Sequence, residues 1–413
     1  MAIDVASEQL TVQSDQPYGD GGDPRRITKI NLGPQHPSTH GVLRLILTLE
    51  GETVLECVPD VGFLHTGIEK TAEFKTYHQA LTLTDRMDYL APLSNNLGYS
   101  LAVEKLLGMT EKIPERAVVG RVVLVELQRI ASHLVWLGSS ALDLGAMSVF
   151  LYCMQDREMI LDIFELVSGV RLMTSYIAIG GLSADLPAEF VAKVQQFVDH
   201  FPARIQEYHN LLTDNEIWKE RTIGVGILSQ QQVIDYCLGG PIARASGLDW
   251  DLRRDMPYCG YDHYSFNVPT RTEGDAYARY RVRMDELTES HKIVQQALHA
   301  LPGGPWRVDD PKIVPPPKYE IGTSMEALIH HFKLFTAGFR PEAGEVYQRI
   351  ESPRGMLGFY IVSDGGPRPY RMHVRGPSFV NVQALPLLMQ GGMLADVVAN
   401  LASMDFILGE VDR

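Results

Sequence analysis

Residues 114–147 read PERAVVGRVVLVELQRIASHLVWLGSSALDLGAM. A proline at the head of such a segment starts a helix at no cost in intrahelical hydrogen bonds. Behind it, apolar residues fall on most of the helical circumference rather than on one stripe. That pattern predicts a central helix buried on nearly every side by others.

Working outward, the flanking segments TGIEKTAEFKTYHQALTLTDRMDYL (66–90) and NNLGYSLAVEKLLG (95–108) repeat apolar residues every three or four positions, which is helical. Further helices are expected at 154–175, 187–213, 229–238, 274–300 and 324–336, with short connections that suit a bundle. The pattern changes at both ends. ITKINL (27–32), VLRLILTLE (42–50) and TVLECV (53–58) predict a small antiparallel sheet, because Leu43, Leu45, Leu47 and Leu49 alternate with mostly polar neighbours. PGGPWRVDDPKIVPPPKY (302–319) reads as an extended connector. VYQRIESP and GFYIVSDG then resemble a hairpin, RPYRMHVRG a strand and GGMLADVVANLASM a final helix. The expected fold is α+β: a disordered tail (1–26), an N-terminal sheet (27–60), a helical core (61–301), the connector (302–319) and a C-terminal α/β lobe (320–413).

Composition narrows the function. With 45% hydrophobic and 21% charged residues the chain is an ordinary globular protein. Its 37 basic and 51 acidic residues give a net charge of −14, which disfavours nucleic acid and anionic lipid as partners. The four cysteines form no CxxC pair, so ligands for a zinc ribbon or an iron–sulfur cluster are lacking. No run of 18 apolar residues occurs, and MAIDVASEQL has neither a basic nor an apolar leader region, so a cytoplasmic chain is expected.

Several motifs could carry chemistry. GPQHPSTHG (33–41) holds His36 and His40, but Pro34 and Pro37 forbid a regular helix, so the four-residue spacing is not one helical face. A stiff loop could present an imidazole to a substrate; a hydrogen-bonded turn is the commoner use. Tyr89 in DRMDYL sits among Asp85, Arg86 and Asp88 and reads alone as a snorkelling or core tyrosine. Asp143, near the end of the apolar helix, needs a partner to stay ionised or its pKa rises; a helix-end cap or a buried ion pair would equally explain it. His133 reads as a satisfied core histidine, and His330-His331 as surface. No P-loop, GxGxxG, HExxH or GxSxG context occurs. The residues alone lead to a polar pocket of His, Tyr and Asp in an apolar helical protein.

Taken together, NLGPQHPSTHGVLRL, HTGIEK, DRMDYL, YSLAVEKLLG, ALDLGAM, SDGGPRPYR and MLADVVANLASMDFILGEVDR closely resemble the 49-kDa subunits, also called the D-type subunits, of respiratory complex I, the bacterial NADH-quinone oxidoreductase. The resemblance spans about residues 27–413. That family is related to the large subunits of nickel–iron hydrogenases, so it implies a hydrogenase-large-subunit-like core. Where those enzymes hold nickel with two CxxC motifs, VGFLHTGIEK and SMDFILGEVDR contain no cysteine, so no metal is expected in this chain.

The resemblance implies that His40 and Tyr89 hold a quinone headgroup, that Asp143 pairs with His40 and favours its imidazolium form, and that His36 shapes the loop. It implies that the electrons arrive from a terminal 4Fe-4S cluster on a neighbouring small Fe–S subunit. FMN and further Fe–S clusters would lie elsewhere in the complex, and a 30-kDa-type subunit and membrane-arm subunits would be partners. The chain would then lie peripherally on the cytoplasmic side of the cell membrane, in a proton-translocating enzyme. Three positions near the electron donor depart from the pattern: Thr66 and Ala178 stand where many relatives have arginine, and Met173 where many have histidine. Fewer donors and cations would lower the cluster potential, which favours a low-potential quinone such as menaquinone. An equivalent subunit fed by ferredoxin or another donor, or a non-catalytic scaffold, is the competing expectation.

Overall fold

The computed structural model describes residues 27–35 and 41–413. The expected tail, His36 and His40 lie outside the described residues. The central helix runs from Glu115 to Asp143, after Pro114, and its side chains are buried around the whole circumference from Val119 to Leu134. Burial on every side has a consequence for its charged residues, which must be paired inside the protein. Arg121 lies 2.5 Å from Glu104 of the helix Pro92–Leu106, and Glu126 is shared between Arg129 and Arg253. Helices Met147–Ser168 and Ala276–His299 pack against it, and Phe190–Tyr208 packs on those two.

The helix expected at 154–175 is displaced at both ends, and the segment 66–90, read as helical, is helical only over Ile68–Ala72 and Tyr77–Thr84. The chain breaks at Gly145 (φ 94°), so the next helix begins at Met147, seven residues before the predicted 154. It ends at Ser168, where Gly169 (φ 80°) closes it, rather than at 175. Glycine adopts this left-handed backbone at little cost, and no periodicity argument sees it.

The N-terminal sheet has the order β1 (Ile27–Leu32), β2 (Arg44–Glu50), β3 (Thr53–Asp60), all antiparallel. Leu43, Leu45, Leu47 and Leu49 form its buried face. They pack against Leu385, Leu388, Leu401 and Leu408, so the two ends of the chain share one core. Backbone hydrogen bonds reinforce that union: Val54 N donates to Gly392 O (2.9 Å) and Leu394 N to Glu52 O (2.8 Å). A two-residue ribbon, β4 (Ile177–Ala178) with β5 (Gly181–Leu182), had no periodic signature. The proline-rich connector lies against it through Gly181 and Arg307.

The C-terminal sheet has the order β6 (Gly344–Ser352), β7 (Gly355–Ser363), β8 (Arg371–Arg375). It lies close on the helix Pro92–Leu106 because Gly98 has no side chain; a Cβ there would meet Phe359 at 2.8 Å. The helix expected to be final, observed as Leu394–Met404, is followed by another, Leu408–Asp412. Asp405 between them is left-handed (φ 48°), which turns the chain back toward the site described next. Among the described residues no helix is long and apolar enough to cross a membrane.

Candidate functional site

The helix Tyr77–Thr84 starts on a Thr76 capping box and stops at Thr84, leaving residues 85–90 as a loop. Side chains of the next helix hold that loop: Asn96 donates to Thr84 Oγ1 (3.1 Å) and Asn95 to Asp88 O (3.1 Å). Gln128 of the central helix donates to Leu90 O (2.6 Å). Asp88 itself is buried, with Oδ2 2.5 Å from Arg354 Nη1 and Oδ1 accepting from Leu90 N (3.1 Å). Arg354 occupies the tip of the β6–β7 hairpin, yet it is fully buried. It also donates to Ser132 Oγ of the central helix (3.1 Å) and to Asp405 Oδ1 (3.1 Å).

The C-terminal segment closes the site from below. Gly409 lies against the Tyr89 loop, where a Cβ would come within 2.5 Å of Met87 O and 3.3 Å of Tyr89 Cδ1. The Asp412 carboxylate accepts from Gly62 N (2.8 Å) and Leu64 N (2.7 Å), and His65 Nδ1 lies 2.6 Å from Asp412 O. Ser175 donates to the Asp85 carboxylate, bringing the segment after Gly169 to the same place. Hydrogen bonds and close contacts therefore link four stretches of the chain: 61–67 to 405–413, 405–413 to 85–90, and 85–90 to 170–178.

Tyr89 is half-buried. Burial raises its pKa above the ordinary phenol value, Arg354 opposes that shift and Asp88 adds to it. The phenol therefore stays protonated at neutral pH and is available as a donor. Asp88 also titrates higher than usual, because burial and the nearby Asp405 outweigh Arg354.

Asp143 is half-buried at the last residue of the central helix. It lies 11 residues beyond Ser132, roughly 16 Å of helical rise, and so stands apart from the Asp88–Arg354 pair. Its expected partner His40 lies outside the described residues, as does His36. Thr66 is exposed in the 61–67 loop, and Met173 is exposed with a left-handed backbone (φ 55°). Ala178 sits in β4, its carbonyl accepting from Arg121 Nη2 (2.8 Å). His133 is a buried core residue 2.9 Å from Glu286 Oε2, with its pKa lowered by burial. Among the described residues no group of three or more His, Cys, Asp or Glu side chains could hold a metal ion.

Sequence reasoning missed Arg354. A turn arginine in SPRG reads as exposed, and nothing local signals burial. Asp405 and Glu410 stood inside a quoted motif but carried no role.

The model of the family described as respiratory-chain NADH dehydrogenase, 49 Kd subunit, matches residues 143–413. The chain is 62% identical, over 93% of its length and 92% of the relative's, to the second of the D-type NADH-quinone oxidoreductase subunits of Roseiflexus sp. (strain RS-1). It is 56% identical, over 98% of its length and 97% of the relative's, to the first D-type NADH-quinone oxidoreductase subunit of Solibacter usitatus. With the D-type NADH-quinone oxidoreductase subunit of Geotalea uraniireducens the identity is 54%, covering 94% of this chain and 99% of that one.

Proposed function

This chain belongs to the family of the 49-kDa subunit of respiratory-chain NADH dehydrogenase, and from that premise we propose that Tyr89 stands at the headgroup end of its quinone-reducing site. The chain works as the quinone-side subunit of complex I, and its reaction is NADH:quinone oxidoreduction by the assembled enzyme.

Reducing a quinone to a quinol takes two electrons and two protons. Each quinone oxygen gains negative charge as electrons arrive, so preorganised donors at those oxygens lower the barrier. Tyr89 supplies one such donor and His40 the other, with Asp143 favouring the protonated form of His40. The observation that carries this reading is the state of Tyr89: a half-buried phenol, kept protonated, on a loop fixed by the buried Asp88–Arg354 pair.

The electrons come from a 4Fe-4S cluster on a small Fe–S subunit, supplied in turn through FMN and further clusters elsewhere. Val170 and Leu172 are exposed beside Met173, and Met173 and Ser175 both have positive φ. An exposed apolar segment with a costly backbone supports a docking role for this edge. A 30-kDa-type subunit and membrane-arm subunits complete the assembly, which couples the reaction to proton translocation. The chain lies peripherally on the cytoplasmic face of the cell membrane. Thr66, Met173 and Ala178 support a low-potential cluster and a low-potential quinone such as menaquinone.

Tyr89→Phe in the assembled complex tests the site. NADH–quinone activity should fall while NADH–ferricyanide activity, which bypasses the pocket, survives. Survival of both would remove Tyr89 from quinone reduction.

A further inference from the structure

Directly after the Gly409 that packs on Tyr89 comes Glu410, a fully buried acid. Its Oε2 accepts from Ser378 N (2.8 Å), while Oε1 is buried with no hydrogen-bond partner. The side chain is confined: Gly376 lies so close that a Cβ there would stand 2.7 Å from Glu410 Cγ. The titratable and charged groups that face it are Asp88 from the Tyr89 loop, Arg354 from the β6–β7 tip and Arg375 from β8. Asp405 stands on the preceding turn of its own segment. Arg354 spends Nη1 on Asp88 and Nη2 on Asp405, and Arg375 donates to Met356 O (2.5 Å) and Cys237 O (2.7 Å). Three carboxyl groups thus surround Arg354, and two of them occupy its forked end. Among the described residues none forms an ion pair with Glu410.

A buried carboxylate with one bare oxygen and a neighbouring carboxylate is expensive to ionise. We propose that Glu410 is a positioning residue that carries its proton into the neutral range, releases it as pH rises further, and thereby sets the net charge behind Tyr89. Neutral Glu410 leaves Asp88 and Asp405 balanced against Arg354 and the nearby Arg283. Ionised Glu410 adds a negative charge that no direct ion pair offsets, next to a site where negative charge must build on the quinone, and so opposes reduction. Burial first, then Asp88, pushes the Glu410 carboxyl up to about 7, against the pull of Ser378 and Arg354. This inference rests on the reading of Tyr89 as the quinone donor.

The test is the pH profile of NADH–quinone activity in the assembled complex, normalised to NADH–ferricyanide activity. One pH unit above its midpoint a group is about tenfold more ionised than protonated. The parent should therefore decline on the alkaline side, and Glu410→Gln, neutral at every pH, should exceed it by up to about tenfold near pH 8. Glu410→Asp, which restores an acid, should bring the decline back. A Glu410→Gln profile that superimposes on the parent's would overturn the proposal. Should Glu410→Gln fail to assemble, infrared spectra of the parent complex serve instead, since a protonated carboxyl group has its own C=O band. Loss of a buried protonated band through about pH 7 supports the proposal, and its absence overturns it. Tyr89→Phe separates the two claims: if it abolishes quinone reduction while the Glu410→Gln profile is unchanged, only the role of Glu410 falls.

Discussion

Arg354 and Asp88, 266 positions apart in the chain, form a buried pair at 2.5 Å that ties the β6–β7 hairpin tip to the loop carrying Tyr89. A loop proposed to border the quinone site needs a fixed backbone, and a buried ion pair with further hydrogen bonds to Ser132 and Asp405 provides it. Arg354 stays charged because Asp405 and Asp88 more than offset its burial.

Removing that cation should be costly. Arg354→Met keeps most of the side-chain volume but leaves Asp88 and Asp405 unpaired inside the protein. Breaking a buried pair from one side costs about 3–5 kcal/mol. Thermal inactivation of the complex should shift to lower temperature, with quinone activity lost before ferricyanide activity. Unchanged inactivation would mean that the pair contributes little to holding the loop.

Acid should weaken the fold through histidines buried in the neutral form. His78 Nε2 lies 2.7 Å from Ile313 O, and burial lowers its pKa below the ordinary imidazole value. A group with a depressed folded pKa binds its proton more readily when unfolded. Stability is therefore full above about pH 6.5 and falls as pH drops toward the folded value, by up to about 1.4 kcal/mol per pH unit. His133, lowered in the same way, adds to the slope. His78→Asn should flatten the dependence of thermal stability on pH between 7 and 5 relative to the parent; an equal slope in both would assign the acid sensitivity to other groups.

The partner's terminal cluster should have a low potential that varies little with pH. Met173→His would add back a donor at the edge proposed to face that cluster, raising the potential and making it pH-dependent. The variant should fold, since histidine is among the residues enriched at positive φ, where Met173 already sits (φ 55°). A redox titration of the parent showing a high, pH-dependent potential would reverse the argument from Thr66, Met173 and Ala178, and with it the preference for menaquinone.

Local pattern was enough to read the long helices and the two three-stranded sheets of this fold. Apolar residues around most of the circumference of 114–147 marked a helix that others bury, and alternation at Leu43, Leu45, Leu47 and Leu49 marked a strand with one covered face. Both signals are properties of neighbouring residues, which is why they survive without a structure. The boundaries at Gly145 and Gly169 were harder, because a left-handed glycine interrupts a helix without disturbing its apolar spacing.

The motif carrying Tyr89 was equally visible, and membership of the family followed from motifs in order along the chain. What surrounds Tyr89 was not. The leucine face of the first sheet is covered by Leu385, Leu401 and Leu408, and a turn arginine is buried because Asp88, Ser132 and Asp405 converge on it. Apolar contact and charge pairing act through space over a few ångströms and are indifferent to chain separation. The chemistry of each group was legible along the chain; the field in which Tyr89 and Glu410 titrate arises only once residues hundreds of positions apart are brought together.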